Sequence, residues 1–315
     1  MPARKRAVAA ALFLLVAALM FTGGCARQQR SGAVQPKQSH STQPLSLNDV
    51  VSMSRAYLGS EPAVPPRPDE SSPTVGRESS TTLEPTGTPP APAPSPSPTP
   101  LAVPAGKRFV VVIDPGHQAE PDLRGERVAP WSSETKPRVT AGATGVTTGV
   151  KESELMLELA NSLKRFLERS GITVILIRTR NDVNVSNRQR AEVANSVGAT
   201  LFVRLHANSS TNRADHGAMM ICQPTRRELD GIYQKSLEAG RIIFDAYRAE
   251  TGLANAGLVQ RADLTGLNWS RSPAVLIELG YLSNPADEAT LTSRAGKDAI
   301  VRGLGFGIQA YLATL

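Results

Sequence analysis

Two histidines in this sequence are placed where a metal ion could bind. The chain has four histidines, and His117 and His206 each directly follow a short run of mainly apolar residues and precede or follow small ones. Such runs are typical of buried strands, and small neighbours leave room for a ligand. A catalytic zinc ion typically takes three nitrogen or oxygen ligands from the protein and keeps a fourth position for water. The two histidines therefore predict a zinc site that needs one more ligand, from a carboxylate.

Three carboxylates could supply that ligand, and spacing alone does not choose among them. Asp114 lies just before His117, Glu152 lies in the first turn of a predicted helix, and Glu278 lies near the end of the apolar run PAVLIEL at 273–279. A glutamate in such a run is costly to bury without a partner. Glu278 must therefore have either a structural ion pair or a catalytic role.

The two remaining histidines are not expected to bind the metal. His40 falls in a segment that is poor in large apolar residues. His216 directly precedes Gly217, and we interpret it as a loop residue.

Strands and helices alternate around the candidate residues. The predicted strands are 108–113, 172–178, 200–205, 217–222 and 273–279. The predicted helices are 152–169, 187–197, 232–250 and 297–312. This alternation predicts a three-layer α/β fold with a mainly parallel central sheet of about six strands and helices on both faces. Ligand sites in such sheets lie at the carboxyl ends of the strands, where His117, His206 and Glu278 all fall.

The beginning of the chain has the composition of an export signal. Three basic residues at 4–6 precede an apolar run at 7–21, which ends in small residues before Cys25. This pattern predicts a secretory signal peptide over residues 1–25. Small residues directly before a cysteine resemble a bacterial lipoprotein processing site, so we expect a lipidated Cys25, with plain secretion or an uncleaved anchor as the alternatives.

Residues 26–106 are expected to form a disordered linker rich in Pro, Ser and Thr. Of the 24 prolines in the chain, 14 lie between positions 62 and 104, and such a segment buries too little apolar surface to offset the entropy of ordering. Residues 107–315 remain as one domain of ordinary size. The net charge of +7 is spread along the chain and few aromatic residues accompany it, so we expect no nucleic-acid partner.

The motifs of the predicted domain, taken together, resemble the zinc-dependent N-acetylmuramoyl-L-alanine amidases over residues 108–315. The matching runs are VVIDPGH at 111–117, GVKESELMLELA at 149–160, the segment 179–195 with Arg188, LFVRLHANSS at 201–210 and PAVLIELGYLSNPAD at 273–287. The resemblance implies one Zn²⁺ held by His117, Glu152 and His206, with Glu278 as the catalytic residue.

The resemblance also implies a reaction and a place in the cell. The family hydrolyses the amide bond between N-acetylmuramic acid and L-alanine in peptidoglycan, with a zinc-activated water. We therefore expect an exported protein of the cell envelope, at the outer face of the cytoplasmic membrane or in the cell wall. Two alternatives stay open: a catalytically silent wall-binding or regulatory module of the same fold, and a zinc peptidase that cuts another wall bond. The HExxH motif typical of many zinc peptidases is absent from the sequence.

Some residues depart from the family pattern or have two interpretations. Arg204 stands where a small residue is common in the family. Asn208 and Trp269 are candidates for the substrate groove, although Trp269 could equally cap the core. Residues 119–148 are long for a loop and could form a lid, a groove wall or a disordered segment.

Overall fold

The computed structural model describes residues 107–315. The predicted signal peptide with Cys25 and the predicted linker at 26–106 lie outside the described residues. No helix in the described part of the chain is both long and apolar enough to cross a bilayer.

A central sheet of six strands forms the middle layer of the domain. Its strands are β1 (Val110–Pro115), β4 (Thr173–Leu176), β5 (Leu201–Asn208), β6 (Ala218–Cys222), β7 (Asn255–Gln260) and β8 (Ala274–Tyr281). They lie in the order β4-β1-β5-β8-β6-β7. The first four of this order are mutually parallel, β6 runs antiparallel to β8, and β7 is parallel to β6. The predicted mainly parallel sheet is confirmed.

Helices cover both faces of the sheet. They are α1 (Glu152–Glu168), α2 (Asn187–Ser196), α3 (Asp230–Thr251), α4 (Thr265–Asn268), α5 (Pro285–Thr292) and α6 (Arg294–Leu312). Apolar residues of α1, α3 and α6 share one core with Val111 and Ile113 of β1. Residues of α2 and α4 share a second core with Val112. Successive residues of β1 thus point into different cores, which is why the strand has no polar face.

Two regions fold in ways that the sequence analysis did not predict. β7 (NAGLVQ) is a half-exposed edge strand, and because it contains Asn and Gly it does not form an apolar run in the sequence. Within the long segment 119–148, β2 (Asp122–Arg127) and β3 (Thr135–Val139) form an antiparallel hairpin. Disorder of this segment, one of the three expectations, is therefore wrong. The hairpin is polar and depends on ion pairs such as Asp122 with Arg124 and Arg138, which have no periodic signature in the sequence.

Candidate metal centre

The three residues expected to bind zinc lie together in the structure. His117 Nε2 is 3.3 Å from Glu152 Oε1, and His206 Nδ1 is 3.2 Å from the same oxygen. One potential ligand atom from each residue lies within 4.8 Å of the others. Two imidazole nitrogens and one carboxylate oxygen are a typical set of protein ligands for a catalytic zinc ion.

His117 is held in an unusual backbone conformation directly after β1. Its φ is 55°, and it is the only non-glycine residue in the described range with a positive φ. Residues other than glycine rarely adopt this left-handed backbone conformation unless the surrounding structure stabilises it. Two buried arginines supply that support: Arg190 donates to the carbonyl of His117 at 2.8 Å, and Arg178 donates to the carbonyl of Gly116 at 2.9 Å. The turn is therefore fixed by side chains from β4's end and from α2.

Gly116 allows the two histidine-bearing strands to approach each other. A Cβ at this position would lie 2.5 Å from the His206 ring and 2.6 Å from the carbonyl oxygen of Leu205. Any side chain would push β1 and β5 apart at the point where their histidines meet. The glycine is required by this close approach, since its own φ is ordinary.

Glu152 is the first residue of α1 and is oriented by the backbone around it. Its Oε2 accepts a hydrogen bond from the amide of Ala143 at 2.8 Å, and its Oε1 accepts one from the amide of Ala207 at 3.0 Å. Burial by itself would raise the pKa of this carboxyl, but hydrogen bonds with His117 and His206 outweigh it and hold the pKa well below its usual range. Glu152 is therefore ionised at neutral pH, as a metal ligand must be.

The two histidines differ in the direction of their pKa shifts. Nδ1 of His117 lies 2.9 Å from the carbonyl oxygen of Thr140. Because a carbonyl can only accept, Nδ1 carries a proton, which leaves Nε2 as the nitrogen for a metal. Burial would lower the pKa of His117, but its hydrogen bond with Glu152 outweighs burial and raises the pKa. Burial lowers the pKa of His206 to about 4, so this ring is neutral at pH 7.

Asp114, the third eligible carboxylate, is used elsewhere. It is fully buried, and its Oδ1 accepts from Arg190 at 2.6 Å while its Oδ2 accepts from Arg204 at 2.7 Å. Burial alone would raise its pKa, but the two arginines lower it to about 2. Asp114 therefore belongs to an ion triad beneath the site and is absent from the cluster of potential ligand atoms.

Glu278 lies beside the cluster without belonging to it. In the parallel register of β5 and β8 it is directly opposite His206. Its Oε2 is buried and has no hydrogen-bond partner among the described residues. Burial, and then the charge of Glu152, raise its pKa to about 8. A structural ion pair, one of the two explanations open for Glu278, is therefore not observed in the described region.

Two cavities meet at these residues. The first, of about 400 Å³, is lined by residues 141–143 and 207–209 in addition to Glu152. The second, of about 320 Å³, runs along β3 and the segment 261–265. His117, His206 and Glu278 line both cavities. The segment 119–148 therefore forms groove wall on both sides of the centre.

The remaining candidate residues are placed differently. Asn208 lines the first cavity. Trp269 lines neither cavity: its indole nitrogen donates to the carbonyl of Arg127 at 2.9 Å, and the guanidinium of Arg188 lies 4.1 Å from its ring centroid. His216 is exposed and contacts the carbonyl of Ala214, as expected of a loop residue.

Two of the arginines beneath the site, Arg178 and Arg190, support its backbone and were given no role in the sequence analysis. Arg188, part of the segment that resembles the family, is half-exposed, whereas Arg190 has 1% of its surface exposed. Arg204, which departs from the family pattern, also forms an ion pair with Asp114 and thereby completes the triad. The available signal was a pair of opposite charges at two apolar strand runs, Asp114 directly after the first and Arg204 within the third.

The fold and the centre define a class of protein with known members. Residues 111–310 match the profile of the N-acetylmuramoyl-L-alanine amidase family, and the chain belongs to this family. It is 29% identical over 213 residues to the N-acetylmuramoyl-L-alanine amidase Rv3717 of Mycobacterium tuberculosis, a match that covers 65% of this chain and 87% of that protein.

Solved structures of amidases have the same fold. The apo form of Ami1 from Mycobacterium abscessus is 27% identical, with a TM-score of 0.59, and the match covers 65% of this chain and 98% of that one. The catalytic domain of CwlV from Bacillus (Paenibacillus) polymyxa var. colistinus is 28% identical, with a TM-score of 0.53 and the same coverage.

Proposed function

We propose that this chain hydrolyses the amide bond between N-acetylmuramic acid and L-alanine in peptidoglycan. The observation that carries the proposal is the juxtaposition, where two cavities meet, of a His-Glu-His cluster with Glu278, whose buried Oε2 has no hydrogen-bond partner among the described residues. The identity of the bond that is cut is inferred from family membership. The site has the potential metal ligands and the carboxyl that this hydrolysis needs.

His117, Glu152 and His206 would hold one Zn²⁺. The fit rests on their chemistry: a carboxylate that is ionised, an imidazole that is neutral at pH 7, and a second imidazole whose Nδ1 donates to the carbonyl of Thr140 and whose Nε2 lies beside Glu152. A bound zinc ion would lower the pKa of a water ligand to about 7 and would polarise a carbonyl oxygen.

Glu278 would move the proton during hydrolysis. Its carboxyl lines both cavities, and its Oε2 has no hydrogen-bond partner in the part of the chain that the structure describes. General acid–base catalysis is most efficient when the pKa of the group lies near the working pH, and burial moves the pKa of Glu278 in that direction. Glu278 would take the proton of the attacking water and deliver it to the nitrogen of L-alanine as the bond breaks.

Other residues of this chain would hold the substrate in place. The first cavity has Asn208 on its wall, and an amide side chain can both donate to and accept from sugar substituents. The wall at 141–143 is joined to the centre through the Ala143–Glu152 hydrogen bond, so substrate binding there is coupled to the orientation of a metal ligand.

The reaction is tested by digesting purified peptidoglycan with and without a chelator and identifying the fragments by mass spectrometry. Free stem peptides that begin with L-alanine, lost on chelation and restored by Zn²⁺, are the expected products. Fragments cut between amino acids would support the zinc peptidase alternative, and chelator-insensitive cleavage would contradict the zinc assignment.

Glu278→Gln separates the active amidase from a silent module of the same fold. We expect this variant to keep one zinc ion per chain and to lose nearly all hydrolysis. Glu154→Gln is the matched control, because Glu154 is an exposed glutamate close to the cluster in sequence. If Glu278→Gln digests the wall as well as Glu154→Gln does, Glu278 is not the catalytic residue.

We also propose that the chain is exported and anchored through a lipidated Cys25. The order of basic residues, apolar run and small residues before Cys25 supports this. Labelling of cells with a radioactive fatty acid should mark the wild-type protein and leave Cys25→Ser unlabelled. Equal labelling of the two proteins would exclude lipidation at this residue.

A further inference from the structure

The two cavities that meet at the candidate centre have walls of opposite character. Apart from Glu152 and the three shared residues, the first cavity is lined by alanines, a glycine, Asn208 and Ser209, none of which carries a charge. The second cavity has Lys136, Arg204, Arg261 and Asp263 on its walls. A substrate with one neutral and one charged half would therefore be oriented by this difference.

The side chains that line the second cavity leave an excess of positive charge around Asp263. Lys136 Nζ and Arg261 Nη2 both lie 2.7 Å from Oδ2 of Asp263, so a single carboxylate is shared by two cations. The two cations come from different walls, Lys136 from β3 and Arg261 from the segment after β7.

Arg261 retains donors for a ligand. Its Nε donates to Oδ1 of Asp263 at 2.9 Å and its Nη2 donates to Oδ2. A guanidinium has five N–H donors, so three of them are not used by Asp263. The side chain is 46% exposed, and a carboxylate entering the cavity can reach it.

The third positive group of this cavity is also only partly neutralised. Arg204 shares the carboxylate of Asp114 with Arg190, which again leaves two cations for one anion. Between these charged groups the wall is apolar, with Pro137, Val139, Leu264 and Leu276. The second cavity thus offers aliphatic surface to a chain and positive charge to its acidic groups.

The substrate of the proposed reaction has this asymmetry. On one side of the bond stands an N-acetylated sugar with a lactyl ether, whose hydroxyl and acetamido groups are neutral. On the other side stands a peptide whose second residue, a γ-linked glutamate, has a free α-carboxylate when it is not amidated. Charge-assisted hydrogen bonds to a carboxylate are the strong ones.

We propose that the stem peptide lies in the second cavity, with a carboxylate bound between Arg261 and Lys136, and that the sugar lies in the first cavity. This assignment rests on the proposed function, since it places the two halves of that substrate. Arg261 is then a specificity-determining residue that favours stems with a free carboxylate over amidated ones.

The test compares two muramoyl dipeptides that differ only in whether the glutamate α-carboxyl is free or amidated. For Arg261→Gln we expect KM on the acidic substrate to rise about 10-fold, as the loss of a charge-assisted hydrogen bond gives, with kcat nearly unchanged. KM on the amidated substrate should not change. Lys136→Gln, from the opposite wall, should act in the same direction.

Arg271→Gln is the control for the loss of one positive charge. Arg271 is exposed and lines neither cavity, so both substrates should be cut as by the wild type. If Arg261→Gln raises KM equally for both substrates, or for neither, the orientation is wrong.

A binding measurement makes the inference independent of catalysis. Calorimetric titration of the full chain with free L-alanyl-γ-D-glutamate should give a Kd about 10-fold weaker for Arg261→Gln than for the wild type or Arg271→Gln. If the chain binds the dipeptide through Arg261 but does not cut peptidoglycan, the proposed function is wrong and the assignment of the peptide to the second cavity stands. If the chain cuts peptidoglycan but does not bind the dipeptide, or binds it equally well in Arg261→Gln, the proposed function stands and the assignment of the peptide to the second cavity is wrong.

Discussion

Replacing Asp114 with asparagine should destabilise the domain without touching the cluster of potential ligands. Asp114 is fully buried between Arg190 and Arg204, with contacts of 2.6 and 2.7 Å. Its replacement by the isosteric amide leaves two buried guanidinium groups without a countercharge. Removing one partner from a buried ion pair typically costs about 3–5 kcal/mol, which is a large share of the stability of an ordinary domain.

The pKa of Asp114 gives a second, independent magnitude. The arginines overcome the opposing effect of burial and lower it from 3.8 to about 2. A depressed pKa means that the stabilisation is complete above the unfolded-state value and is lost as the pH falls through the folded-state value. The shift corresponds to about 2 kcal/mol at neutral pH, and about half of it should be gone at pH 3.

The assay is urea unfolding of the wild type and Asp114→Asn between pH 7 and pH 3. The difference between the two free energies of unfolding cancels the other acidic groups that titrate in this range. It should be constant from pH 7 to pH 5 and then narrow by about 1 kcal/mol at pH 3.

Asp182→Asn is the matched control, because Asp182 is 59% exposed and, within residues 107–315, forms an ion pair with Arg180 alone, a surface pair at 3.5 Å. Such pairs contribute about 0–1 kcal/mol. A loss in Asp114→Asn no larger than in the control, or a difference that does not narrow on acidification, would refute the account of a buried triad.

Two further predictions concern the walls of the centre. Gly116→Ala should bind zinc more weakly and lose most hydrolysis, because the added Cβ would lie 2.5 Å from the His206 ring; zinc content after dialysis and activity on peptidoglycan measure this, and an unchanged zinc content would show that β1 and β5 can separate without cost. Trp269→Phe should lower the melting temperature through the lost hydrogen bond to Arg127 and leave KM unchanged; an increase in KM at unchanged stability would instead place Trp269 in the substrate groove.

The layers of this domain could be predicted because their signals are local. The runs before His117 and His206 are mainly apolar, since these strands are covered on both faces. The stripe of apolar residues on α1 repeats with the helical period, and Gly171 follows its end. Strand-end histidines then follow from the rule that parallel strands present their carboxyl ends at one edge, although β5 in fact continues through His206 to Asn208.

Tertiary structure distinguishes the three acidic residues by the groups that surround each of them. Sequence spacing left Asp114, Glu152 and Glu278 equally eligible as ligands. Arg190 reaches Asp114 across 76 positions of the chain, and no periodic pattern reports such a pairing. Only the packing of α2 beneath β1 takes Asp114 out of the site, while the amides of Ala143 and Ala207 orient Glu152 within it.

The groove likewise became visible only in the folded chain. Lys136 and Arg261 are 125 positions apart in the sequence and meet at Asp263 because the β2–β3 hairpin lies against the segment after β7. The sequence by itself determined the layers and the histidine-bearing strand ends, because periodicity and strand direction are local properties. Tertiary structure decided which charges neutralise each other and which remain for a substrate, because those depend on contacts between distant segments.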